Sequence, residues 1–180
     1  TCGLDQSATR PIFRFVVNVS YVSAISPNAV TNRGAAILSW IDQLEAEGAR
    51  VEVVVLRSTE GQAGDRGRYA FRMTLKRADE PLEIDRAAFV LAHPAMLRRI
   101  CFAMAEHHDA TAPWMDNNYC ISSNFEPEEW RVPHSVYFNA LCDYTKDDAL
   151  YQNEKIAGAT VEKIIQDGLT QAQAQQQEAA

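Results

Sequence analysis

Long apolar runs are missing from this 180-residue chain: no stretch approaches the roughly 20 residues that cross a bilayer as a helix. Glycine (8) and proline (7) are too few for a collagen or a Pro/Gly-rich linker, and aromatics make up only 9%. The four cysteines, Cys2, Cys101, Cys120 and Cys142, form no C-x-x-C pair, which argues against a zinc ribbon and against a disulfide-knotted miniprotein. Lysine is scarce too, at 4 of the 17 Lys and Arg residues. What remains is the balance of a globular domain, with 47% apolar and 23% charged residues. A chain of this length buries about 70% of its unfolded surface, enough for a core without metal or disulfide staples.

The net charge of −7 is unevenly spread. Residues 1–99 carry 13 Lys and Arg against 11 Asp and Glu, whereas residues 100–180 carry 4 against 13. A net acidic chain is a poor non-specific nucleic-acid binder, because duplex affinity comes largely from phosphate neutralisation. The cluster Arg57, Arg66, Arg68, Arg72, Lys76 and Arg77 is either a local basic patch or a solvated hairpin face. Scattered cysteines read as free thiols in a reducing compartment. No charged segment followed by an apolar one opens the sequence, so the expectation is a cytoplasmic protein without membrane partners.

Along the chain, Ile12 to Val19 is a buried-type strand. Ser26 is a candidate N-cap with Pro27 at the first helical position, and Val30, Gly34, Ile37, Ile41 and Leu44 mark one helix face that Gly48 ends. Val51 to Leu56 is a second buried strand, so the first unit is a right-handed parallel crossover. After a glycine-containing turn, Tyr69, Phe71, Met73 and Leu75 alternate with Ala70, Arg72, Thr74 and Lys76, which predicts a half-exposed antiparallel strand at a sheet edge. Helices follow from Asp85 to about Leu91 and from Ala95 to about His108, separated by His93-Pro94. Asp109 to Pro133 is an irregular segment of a length that is often functional. Ser135 to Leu141 is the fourth strand, and a last helix, capped by Asp147 or Asp148, runs from about Leu150 until Gly168 stops it.

This order predicts an α/β fold: a Rossmann-like open sheet, mainly parallel, with an antiparallel edge hairpin and helices on both faces. The expected organisation is an N-terminal arm (1–10), one α/β domain (11–169) with the insertion 109–134, and a Gln/Ala-rich tail (170–180). An early hairpin after a parallel pair resembles the von Willebrand factor A (VWA) topology. A second resemblance is carried by Asn18, by Arg33-Gly34-Ala35-Ala36-Ile37, by Leu44-Glu45-Ala46-Glu47-Gly48, and by Leu91-Ala92-His93-Pro94-Ala95-Met96-Leu97-Arg98-Arg99. These runs look like a domain-of-unknown-function family found in bacteria and their phages, which implies no reaction.

Ligands of open α/β sheets bind beyond the carboxyl ends of the parallel strands. The VWA resemblance implies a metal motif there, Asp-x-Ser-x-Ser, which in this sequence becomes Asn18-Val19-Ser20-Tyr21-Val22. Ser20, Ser23 and Asp143 are the oxygen donors left for Mg²⁺, in a degenerate site with Asn18; the alternative is that Asn18 and Ser20 satisfy loop backbone groups. His107-His108 with Cys120, His134 and Cys142 invites a zinc reading, yet adjacent helical histidines point about 100° apart. Cys142 with a histidine is a conceivable nucleophile pair. G-x-S-x-G, H-E-x-x-H, G-x-x-x-x-G-K-[ST] and G-x-G-x-x-G are all absent. Trp114, Tyr119, Phe125 and Trp130 are either partner anchors or cover for the sheet, and Arg98 and Arg99 are candidates for an acidic partner. The expected function is a non-catalytic, VWA-like interaction domain in a larger bacterial or phage assembly. Two alternatives are a Mg²⁺-dependent enzyme or nucleotide binder, and a nucleic-acid-associated factor using the arginine-rich hairpin.

Overall fold

The computed structural model describes residues 12–60, 68–112, 121–131 and 135–178. Strand β1 (Ile12–Asn18) leads into helix α1 (Pro27–Ala46), whose N-cap Ser26 accepts a hydrogen bond from the Ala29 N–H. Val30, Gly34, Ile37, Ile41 and Leu44 are all buried, as their spacing predicts, and Gly48 ends the helix at φ +90°. Strand β2 (Arg50–Glu60) pairs in parallel with β1 and antiparallel with β3 (Arg68–Lys76). Helix α2 (Ile84–Ala92) ends at His93, which the following Pro94 holds in an extended conformation. A π-helical turn (Met96–Cys101) then runs directly into α3 (Phe102–His107). The two-residue strand β4 (Ile121–Ser122), a 3-10 turn (Glu128–Trp130) and β5 (Ser135–Phe138) precede α4 (Tyr144–Leu150) and α5 (Glu154–Glu178).

The result is an open mixed sheet in the order β3-β2-β1-β5, with both neighbours of β1 parallel and the antiparallel β3 at one edge. β2 runs four residues past the end of β1, and β4 pairs with that overhang at Thr59 and Glu60. Helical cover is unequal. The larger apolar cluster joins Phe15, Val53, Val55 and Phe138 to Ile37 and Ile41 of α1, Val90 of α2 and Val161 and Ile165 of α5. On the other face a smaller cluster, Val16, Val54 and Leu56, lies under Trp130 and Tyr137.

Three readings of the C-terminal third need correction. The last helix is two helices: Asp143 caps α4, and Asn153 accepts a hydrogen bond from the Ile156 N–H at the start of α5. Asp147 instead accepts the Asp143 N–H, and Asp148 accepts the Ser26 N–H at the start of α1. Gly168 does not stop α5, which continues to Glu178. Its missing side chain serves packing, because a Cβ there would lie 3.1 Å from a Val136 methyl group of β5. Among the described residues no single helix is long and apolar enough to cross a membrane.

Candidate functional site

The carboxyl edge of the parallel strands is where a ligand of this architecture sits. Asn18, at the end of β1, is 3% exposed; Ser20 and Ser58 are fully buried. Asn18 Nδ2 donates to Ser58 Oγ (2.8 Å) and to the Ser123 carbonyl (2.9 Å), while its Oδ1 accepts the Ser20 N–H (3.0 Å). Ser20 Oγ donates to the Ser58 carbonyl and accepts the Ser58 N–H, each at 3.0 Å. Ser58 Oγ donates to the Ser123 carbonyl (2.5 Å). Every side-chain polar atom of the three residues is therefore engaged, as buried polar groups require. The segment after β4 supplies part of this network and also holds the stretch that follows β5, since Asn124 Oδ1 accepts the Ala140 N–H at 2.6 Å. The chain's own residues 122–124 thus fill the space beyond β1, alongside the β2 overhang.

Arg33 closes this edge from the helix side. It is 5% exposed and donates to the Asn18 carbonyl (3.1 Å) and the Asn139 carbonyl (2.7 Å), bridging the ends of β1 and β5. The Tyr151 ring lies 5.9 Å from its guanidinium carbon. Burial pulls its pKa below the ordinary arginine value, and Tyr151 opposes that shift.

The candidate metal donors are not presented as a cluster. Ser20 is engaged with Ser58, and Asp143 Oδ1 caps α4 by accepting the Thr145 and Lys146 N–H groups. Those backbone hydrogen bonds, that of Lys146 foremost, hold the exposed Asp143 carboxyl below its usual range. Ser23 is exposed, and its carbonyl accepts from Arg98 at 3.4 Å. Among the described residues no three His, Cys, Asp or Glu side chains come together.

For the zinc and nucleophile readings, Cys120 and His134 lie outside the described residues. His93 and His108 accept N–H groups two residues ahead, and His107 Nδ1–H donates to the Ala103 carbonyl. Cys142 donates to the Ser122 carbonyl at 3.3 Å, and burial, assisted by the nearby Asp147 charge, pushes its thiol pKa up, the opposite of nucleophile activation.

The basic cluster is divided between interior and surface, with the exposed Arg72 donating to the Trp130 carbonyl at 3.3 Å. Arg57 and Lys76 are buried, Lys76 against Glu45 at 2.5 Å; Arg68 pairs with Glu60 and Arg77 with Glu80. Arg66 lies outside the described residues. Of the candidate partner residues, Trp114 and Tyr119 lie outside the described residues. Trp130 packs on the smaller cluster and Phe125 lies beneath Arg68 (5.7 Å), so both cover structure. Arg98 donates to the Tyr21 hydroxyl (3.3 Å), which itself donates to the Pro94 carbonyl (3.0 Å). That linkage ties the His-Pro run to the loop after β1. Arg99 is exposed, beside Ile100 (43% exposed) and Met104 (44% exposed).

Two buried cations, Arg33 and Arg57, escape a reading that treats arginine as surface. Their phase is the signal: Arg33 falls on the stripe of Val30, Ile37 and Ile41, and Arg57 continues the alternation of Val51, Val53 and Val55. No curated protein and no solved structure matches the chain. A family model, described as a domain of unknown function, matches residues 4–168, and the chain belongs to that family, DUF7192.

Proposed function

We propose that the chain is a non-catalytic recognition domain of VWA-like topology, working within a larger protein assembly in the cytoplasm of a bacterium or a phage-infected host. The observation that carries this reading is the filled space at the carboxyl end of β1. The hydroxyl and amide groups where an α/β enzyme keeps its reacting groups are hydrogen-bonded to one another and to residues 122–124. The edge hairpin β2–β3 and the return of β5 beside β1 support the VWA likeness. On the segment that Arg98 ties to the loop after β1, Arg99, Ile100 and Met104 are an arginine and two large exposed apolar side chains, a composition suited to a protein partner with an apolar patch and carboxylates.

The test is purification of the tagged chain from cells that make it, followed by light scattering on the eluted species. The expected result is a complex of fixed stoichiometry that Arg99→Glu with Ile100→Asp dissociates while leaving the melting temperature of the free chain within about 2 °C, as for surface substitutions. A lone monomer, or a complex indifferent to both substitutions, contradicts the reading.

A further inference from the structure

Arg57 occupies the β2 overhang one residue past the end of β1, on the face that carries the larger apolar cluster. It is 2% exposed, and Thr59, two residues on and so on the same face, is also 2% exposed. Neither Nε, Nη1 nor Nη2 of Arg57 has a hydrogen-bond partner among the described residues, and neither has the Thr59 hydroxyl. Three rings surround the guanidinium, with centroids 5.0 Å (Tyr69), 5.4 Å (Phe102) and 6.0 Å (Phe71) from its central carbon.

Aromatic rings stabilise the cation through their quadrupoles, but they replace none of the five N–H···O bonds that a guanidinium makes in water. A buried charge left without hydrogen bonds is among the costliest arrangements a fold can hold. The neighbouring thiol is no counter-charge. Burial pushes Cys101 up to about 11 although Arg57 pulls the other way, so it is neutral at pH 7. Tyr69, Phe71 and Phe102 are each only partly buried, so the rings around the guanidinium border solvent. The position is the carboxyl edge of β2, in the region where ligands of open α/β sheets bind.

We propose that Arg57 and Thr59 form a binding site for a small oxyanion of the carboxylate or phosphate class. Its oxygens lie in the guanidinium plane and take two N–H bonds from Arg57, while the Thr59 hydroxyl donates a third. The surrounding rings exclude water and so strengthen these charge-assisted bonds. The site does not use Arg99, Ile100 or Met104, although Phe102 of the same stretch lines it.

The test titrates the full chain with inorganic phosphate and, separately, with acetate, against chloride at matched ionic strength. The readouts are the NMR resonance of the Arg57 Nε–H and the melting temperature. The expected result is a saturable displacement of that resonance and a saturable rise in melting temperature with at least one oxyanion, neither seen with chloride. A response to phosphate alone assigns a phosphate ester ligand, and to acetate alone a carboxylate. Thr59→Val weakens binding about fivefold, as for one lost hydrogen bond. Arg57→Met abolishes the response and, having lost an unpaired buried charge, is at least as stable as the wild type in anion-free buffer. A resonance unmoved by both oxyanions, which needs no variant to fold, overturns the proposal. So does an equal melting response in Arg57→Met.

Discussion

Asn18 uses its amide as a double donor, and that fixes which side chains its position tolerates. An aspartate has the same shape but no N–H, and its second oxygen would face the Ser123 carbonyl in a site that is 3% exposed. Asn18→Asp, which restores the leading carboxylate of the VWA metal motif, is therefore expected to cost about 1–3 kcal/mol, the range for a buried group left unsatisfied. Mg²⁺ should not restore the loss, because Ser20 stays engaged with Ser58 and Asp143 with the α4 N-terminus. Thermal melts with and without Mg²⁺ check this, and a saturable Mg²⁺ rescue would contradict it. Glu126 gives the chain a pH signature. It is 8% exposed, and burial holds its carboxyl above the ordinary range against the Tyr137 hydrogen bond and the charges of Arg72 and Arg131. A carboxyl whose folded pKa exceeds its unfolded one penalises the fold fully above the raised value, and the penalty fades as pH falls toward the unfolded value. Glu126→Gln should thus melt higher than the wild type at pH 7, with the gap closing on acidification; a gap that widens in acid sinks this assignment.

At the scale of elements, α1 and α2 approach so closely that a side chain at Gly34 would overlap Ala92 and the Leu91 carbonyl. Gly34→Ala is expected to cost about 1–3 kcal/mol despite its better helix propensity, the range for an overfilled contact. Calorimetric or denaturant unfolding reads this, and an unchanged midpoint would mean the two helices separate freely. The elements that sequence patterning predicts are those whose burial is either one-sided or complete. α1 shows its stripe from Val30 to Leu44, β3 its alternation from Tyr69 to Leu75, and β1 and β2 their unbroken apolar cores. The candidate site was less legible because its hydrogen bonds cross long sequence separations. Nothing local marks Ser58 as the partner of both Ser20 and Ser123, 38 and 65 residues away. The π-helical turn at Met96–Cys101 has no compositional signature, yet it turns Leu97 and Cys101 inward while Arg98 reaches Tyr21. Gly168 misleads because a glycine that makes room for Val136 looks the same in sequence as one that ends a helix. The division between α4 and α5 rests on two competing caps, Asp143 and Asn153, that the run of acidic residues around them obscures.

For the molecule as a whole, the −7 charge is a feature of the C-terminal half, which supplies α3, β4, β5, α4 and α5. Much of the basic surplus in the first half is not available to a polyanion. Arg33, Arg57 and Lys76 are buried, and Arg14, Arg68 and Arg77 are paired with carboxylates. Across the junction of the two halves, the stretch from Met96 to His107 is set against the loop after β1 by the contact of Arg98 with Tyr21. The central claim is that the carboxyl end of β1 is sealed for structure and that protein recognition happens beside it. Amide hydrogen exchange on the free chain and on its purified complex tests this most directly. The account predicts that added protection concentrates in residues 96–107 and in the adjoining 21–25 loop, with the amides of Ser20 and Ser58 already slow in the free chain. Fast exchange at Ser20 and Ser58 before binding, or protection confined to the outer face of α5, would contradict it.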